Sequence, residues 1–252
     1  MAVARSVVFS PVGGEGIVDM AVRRLGEAID VGLIETGEQL PSESELAGRL
    51  GIATVSVREA LAVLSGSGHV ETRRGRGGGT FVCRPVLGPI GSTSSRVEGQ
   101  LRKRSAAELR DLCDFQLAVS GAAASLAAVR RSEDEARELT ALAAEMDELA
   151  EEALFRRADS RFHIAITGAA QSPRMVALET SLQAELIELL AGAPEAAGPR
   201  TGAIAEHREI ALAIRRQDPH MARAITQRHV LRMAAGLQTA AEASTEEARP
   251  DR

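Results

Sequence analysis

The chain has 252 residues, 44% hydrophobic and 26% charged, with a formal net charge of −5, the make-up of a folded protein long enough for two domains. Two cysteines, Cys83 and Cys113, are too few for a disulfide framework, and no apolar run approaches the roughly 20 residues that span a bilayer. With no basic-then-apolar leader at the start, a reduced, cytoplasmic protein without a membrane partner is expected.

Tryptophan and tyrosine are absent while alanine and leucine dominate, which favours helices packed through small aliphatic side chains. The charge is uneven. Between Arg49 and Arg84 lie six arginines (49, 58, 73, 74, 76, 84) against two acids, Glu59 and Glu71, whereas EARELTALAAEMDELAEE is acidic. Local charge, not the total, sets the field that a DNA phosphate meets.

In chain order, residues 1–15 read as a flexible tail. Ile17, Met20, Ala21, Leu25, Ala28 and Ile29 then fall at helical spacing, and the helix they predict ends near Gly32. In LPSESELAGRLG, Ser42 and Glu45 form a capping box, Leu46, Ala47 and Leu50 supply a buried face, and Gly51 stops the helix. A further helix begins near Thr54, with Val57, Ala60, Leu61 and Leu64 inward. Two short helices joined by about three residues predict a helix-turn-helix. GHVETRR and GTFVCR read as two strands with glycines at their turn, so residues 16–84 are expected to form a winged helix-turn-helix of three helices and a hairpin.

Residues 85–104 contain PVLGPIGSTSSR and read as a linker. From Ser105 to residue 241 an all-helical, antiparallel bundle is expected. Ser105 with Glu108 and Ser132 with Glu135 are capping boxes, and Leu139, Leu142, Met146, Leu149 and Ala153 step by threes and fours like a bundle core. Ser172-Pro173 and Asp218-Pro219 mark helix starts, residues 192–202 a loop, and 242–252 a frayed tail. The fold class is mainly α.

RRGRGGGTFV (73–82) sets three arginines among four glycines. A nucleotide-binding loop requires a following helix whose N–H groups face the phosphate, but here TFVC and Arg84-Pro85 follow. GRGGGT also lacks the third glycine of G-x-G-x-x-G and the lysine of a P-loop. Directly after a helix-turn-helix, arginines on a hairpin tip suit phosphate or groove contacts instead. The stretch LPSESELAGRLGIATVSVREALAVLSGSGHVETRRGRGGGTFV resembles the DNA-binding domain of the GntR family of bacterial transcription regulators in its LPSE-x-x-LA run, V-R-E-A-L helix and R-G-x-G-T-x-V wing. The resemblance implies that Ser42, Thr54, Ser56 and Arg58 at the helices, and Arg73, Arg74, Arg76 and Gly77 at the wing, face DNA. Ala53-Thr54 replaces the usual Ser-Arg, and Ser44 stands where the fatty-acid-responsive branch has arginine, so operator letters do not transfer.

In ADSRFHIAI, Asp159 and His163 are four apart on one helix face, and His207 and His229 sit on the helices flanking Asp218-Pro219. A lone histidine is usually a packing residue; three in one domain with a carboxylate could instead converge on zinc, nickel or manganese. Residues 105–240 resemble the FCD ligand-binding domain of the fatty-acid-regulator branch. D-x-x-FH, EH-x-x-I-x-x-AI and a histidine after D-P-x-x-A match its metal-binding members, which implies one divalent ion per chain on Asp159, His163, His207 and His229, zinc first. Effectors of that class are small carboxylates held partly by the metal. Gln116 stands where many members have arginine, Ser120 where many have glutamate, and Ser172 replaces a common asparagine; Gln116 and Ser120 are the candidate effector contacts.

The resemblance thus implies a homodimeric regulator, more often a repressor in this family, that binds a near-palindromic operator in double-stranded DNA under control of a small-molecule effector. The alternative from the same residues is a metal-dependent hydrolase, with Glu206 or Glu209 as general base.

Overall fold

The computed structural model describes residues 16–83, 104–191 and 198–247, with side chains to residue 243. The expected N-terminal tail, nearly all of the linker and most of the loop after Ala191 lie outside the described residues. α1 (Ile17–Asp30), α2 (Glu43–Leu50) and α3 (Thr54–Gly66) precede an antiparallel hairpin of β1 (Val70–Arg73) and β2 (Gly79–Val82), in which Val70 faces Val82 and Arg73 faces Gly79. Ile29, Val57, Ala60 and Leu64 are fully enclosed at the centre of this unit, with Leu25, Leu46, Val70 and Val82 around them. α2 is short, and its ends are held locally. The Ser42 hydroxyl accepts from the Glu45 N–H, the Glu45 carboxylate accepts from the Ser42 N–H, and Gly51 closes the helix at φ 68°.

One strand-like segment is not apparent in the sequence. Gly37 N–H donates to Val82 O, Val82 N–H to Glu38 O and Leu40 N–H to Thr80 O, so residues 37–40 lie along β2 as a third edge. The wing turns through Gly75 and Gly77 at positive φ. At Gly78 a Cβ would stand 2.5 Å from the Arg73 carbonyl oxygen, so only glycine fits the turn.

The helical half runs α4 (Ala106–Arg130), α5 (Glu133–Glu145), α6 (Glu152–Ala169), α7 (Pro173–Ala191), α8 (Arg200–Arg215) and α9 (Pro219–Glu247). Both expected capping boxes form, on α4 and α5. Met175 N–H donates to Ser172 and Met221 N–H to Asp218, fixing the starts of α7 and α9. Leu139, Leu142, Met146 and Leu149 pack into the bundle core as expected, across a break where α5 stops at Glu145 and α6 starts at Glu152. Two expectations need correction. α8 begins at Arg200 and takes in Gly202, and α9 continues to Glu247 rather than fraying after residue 241.

α4 also corrects the sequence expectation about apolar length. It is long and apolar enough to cross a membrane by length and composition alone. Its alanines explain why. Ala123, Ala124, Ala127 and Ala128 are fully buried and let α6, α8 and α9 pack closely around it. Glu108, Arg110, Asp111 and Asp114 line its exposed first turns. The two halves meet where α1 packs on α7. Ser181 donates to the Glu27 carboxylate at 2.8 Å, Arg157 donates to Ile29 O at 3.2 Å, and Val31 is enclosed with Ile164 and Ile187.

Candidate metal centre and nucleic-acid interface

α6 carries Asp159 and His163 one turn apart on its inner face, α8 brings His207 and α9 brings His229. One ligand atom from each of the four lies within 4.8 Å of the others. The three imidazoles are almost wholly enclosed, with ring centroids 4.6 to 5.4 Å apart. His207 Nε2 stands 3.2 Å from Asp159 Oδ1 without the alignment of a hydrogen bond, and both nitrogens of His207 and Nδ1 of His163 are buried with no hydrogen-bond partner. Buried polar atoms rarely stay unpartnered. Their crowding around one point is the arrangement that a divalent cation satisfies.

The protonation states agree with that. Burial pushes all three imidazoles below their ordinary value, His163 to about 4, with the Asp159 charge pulling the other way. Burial alone would raise Asp159; His207 and the other imidazoles beside it hold the carboxyl well below the usual range instead. Near neutral pH the cluster is one carboxylate and three neutral imidazoles, the form in which all four donate lone pairs. Outside this set, Glu206 accepts from His229 Nδ1 at 2.8 Å and from Arg232 Nη2 at 2.8 Å. That bond places the proton on Nδ1 and leaves Nε2 of His229 as the donor to an ion. Burial opposes ionisation of Glu206, yet these two bonds bring it down to about 2. Such a partner could have been sought in the sequence, since Glu206 immediately precedes His207.

A small cavity of about 10 Å³ adjoins the cluster, lined by Gln116, Arg156, Asp159, His163, Gln183 and His229 among others. That is room for about one water. Gln116 is 2% exposed and its Oε1 has no hydrogen-bond partner. Ser120, one turn on, does not line this space. Its hydroxyl donates instead to the buried Glu179 carboxylate, which also accepts from Gln183 Nε2 at 2.9 Å. Burial raises Glu179 to about 7, and the bonds from Gln183 and Ser120 offset only part of this. Ser172 caps α7 and lines a separate, roomier cleft of about 880 Å³ between α1 and α7, whose lining includes Arg23 and Arg24 and no histidine.

On the winged helix, Thr54 and Arg58 are exposed on α3 and Ser56 is half-buried. Arg58 donates to Glu43 of α2 through Nε at 3.1 Å and Nη2 at 2.8 Å, which holds the guanidinium at the outer face of the two helices. Arg74, Arg76 and Gly77 are exposed at the wing tip. Arg73 behaves differently: it pairs with Glu71 and lies over the Phe81 ring at 4.7 Å. Ser42 is exposed, with its hydroxyl engaged by Glu45.

Comparison with known proteins follows the same division. Residues 17–82 match the family model for bacterial regulatory proteins of the gntR family, and residues 111–232 match the FCD domain. The HTH-type transcriptional regulator RmpR of Mycobacterium gastri is 40% identical over 219 residues, covering 85% of this chain and 77% of that protein. The chain is a GntR-family transcription regulator. The HTH-type transcriptional repressor NanR of Cronobacter sakazakii is 28% identical over 232 residues, 91% of this chain and 88% of its own length. Among solved structures, E. coli McbR/YncC shares the fold at a TM-score of 0.52 and 16% identity, over 89% of this chain and 98% of that one.

GntR regulators bind DNA, and membership in that family sets aside the hydrolase alternative. The geometry gives it no help either, because Glu206 is engaged by His229 and Arg232, and Glu209 by Arg228.

Proposed function

We propose that this GntR regulator is a homodimeric repressor of a near-palindromic operator in the bacterial cytoplasm. Its grip on DNA is set by a small carboxylate effector that binds beside one divalent ion per chain. The observation that carries this reading is the convergence of Asp159, His163, His207 and His229 from three helices on one enclosed point next to a cavity. Zinc suits that donor set first, with nickel or manganese as alternatives. A bound ion there supplies a positive charge and open coordination positions for an effector oxygen. Ser42, Thr54, Ser56, Arg58, Arg73, Arg74, Arg76 and Gly77 form the DNA-facing set, with Arg58 reading bases and the wing arginines on phosphate. The Cronobacter relative is a transcriptional repressor, which supports the sign of the regulation.

Because α6 and α7 face both the cavity and α1, an effector that moves them shifts the winged helix in the same step. The test is a gel shift on the cognate operator with metal-loaded protein and a panel of small carboxylates, paired with sedimentation of the fragment 100–240. Release of DNA by one acid and a dimeric fragment are expected. Effector-independent binding and a monomeric fragment would overturn the reading.

A further inference from the structure

We propose that Gln116 reads a hydroxyl group on the effector, so that the ligand is a small hydroxy-monocarboxylate rather than a dicarboxylate. This rests on the effector reading above, and it follows from two features of the cavity wall.

The first is the hydrogen-bond deficit at Gln116. Its side chain is 2% exposed, lines the cavity beside Asp159, His163 and His229, and has an Oε1 with no partner. An amide enclosed in this way is satisfied when a ligand brings the missing group. A hydroxyl both donates and accepts, so it satisfies the amide whichever way the amide is turned. A methyl in the same place leaves the acceptor unmet.

The second feature is charge. A divalent ion held by Asp159 and three neutral imidazoles has one positive charge left over, which a single ligand carboxylate balances. Among the described residues, the one cation that lines the wall, Arg156, is already paired with Glu152 at 2.6 Å. Behind the cavity, Gln183 is bonded to the buried carboxyl of Glu179. A second ligand carboxylate at Gln116 would have to compete with Glu152 for Arg156, beside acids already there. A neutral polar end costs far less. The remaining wall (Leu186, Ile187, Leu190 and Met233) is apolar, and since the closed cavity holds only about 10 Å³, these side chains, with Met233 the most adaptable, must shift to admit a ligand. That favours a short acid.

The experiment uses three acids of one length that differ only at the far end: butanoate, 4-hydroxybutanoate and succinate. Binding to the metal-loaded full chain is followed by calorimetry and thermal shift, for the natural protein, Gln116→Leu and Gln116→Arg. The natural protein should prefer 4-hydroxybutanoate over butanoate by roughly tenfold to hundredfold, the usual cost of leaving a buried partner unmet, and bind succinate weakest. Gln116→Leu should erase the hydroxyl preference while retaining butanoate, and Gln116→Arg should turn the order toward succinate. If the acids bind but succinate ranks first, or the hydroxyl preference survives in Gln116→Leu, the role of Gln116 is wrong and the effector site stands. If none of the three binds any variant that still takes up metal, the effector reading falls and this inference falls with it.

Discussion

Glu179 offers a quantitative test of the buried network because its ionisation is independent of DNA. Its carboxyl is fully enclosed, and burial, against hydrogen bonds from Gln183 and Ser120, raises it to about 7 from an ordinary 4.5. In the unfolded chain the group ionises first, so between those two values the folded state binds more protons. Stability therefore falls as pH rises through that window, and the full penalty is present above about 7. The separation corresponds to about 3 kcal/mol at pH 8 and to less than about 1 kcal/mol at pH 5. Glu179→Gln keeps the shape, keeps an oxygen for Gln183 and offers an N–H to the Ser120 hydroxyl, while removing the charge. Denaturant unfolding of both metal-stripped proteins at pH 5 and pH 8 should show the variant more stable by about 3 kcal/mol at the higher pH, with the gap closing at the lower. Metal loading should narrow the gap at pH 8, since the Asp159 charge that helps raise Glu179 is then neutralised. A variant that is no more stable at pH 8 than at pH 5, relative to the natural protein, would refute the reasoning: the ionised carboxylate would then be well solvated where it lies.

Three further outcomes are expected. Elemental analysis of protein prepared without a histidine tag should find about one divalent ion per chain, and His207→Ala should lose it and melt lower while the winged helix stays folded. Arg58→Ala should cost on the order of 1–3 kcal/mol of operator binding and blur discrimination, whereas Arg76→Ala should weaken all sequences alike and flatten the salt dependence, both read by gel shift at two salt concentrations. Gly78→Ala should lower DNA affinity without changing metal content or the melting of the helical half, because its Cβ would meet the Arg73 carbonyl at 2.5 Å and open the hairpin.

Local signals were legible in the sequence wherever neighbours along the chain set the structure. Ser42, Ser105 and Ser132 each found the glutamate three residues on, and Pro173 and Pro219 opened helices, since a cap is satisfied within one turn. The four clustered residues, Asp159, His163, His207 and His229, were also visible as residue types. The apolar rhythm through Met146 and Leu149 marked core positions without showing the α5–α6 break, because both residues pack on the core while the backbone turns. The third edge at residues 37–40 was hidden because its partner, β2, lies some forty residues away.

The elements and the winged helix-turn-helix were legible along the chain because they rest on contacts within a few residues, and the FCD resemblance pointed to the residues that cluster. Which groups share an enclosure came from how the helices pack. Gln116 and Ser120 stand one turn apart on α4 and look equivalent in the sequence, yet one faces the cavity with an unmet acceptor and the other is bonded to Glu179 on α7. Glu206 orients His229 across two helices in the same way. Whether a buried polar atom is satisfied depends on what the neighbouring helices bring to it, and helix packing, not the order of residues along one helix, sets that.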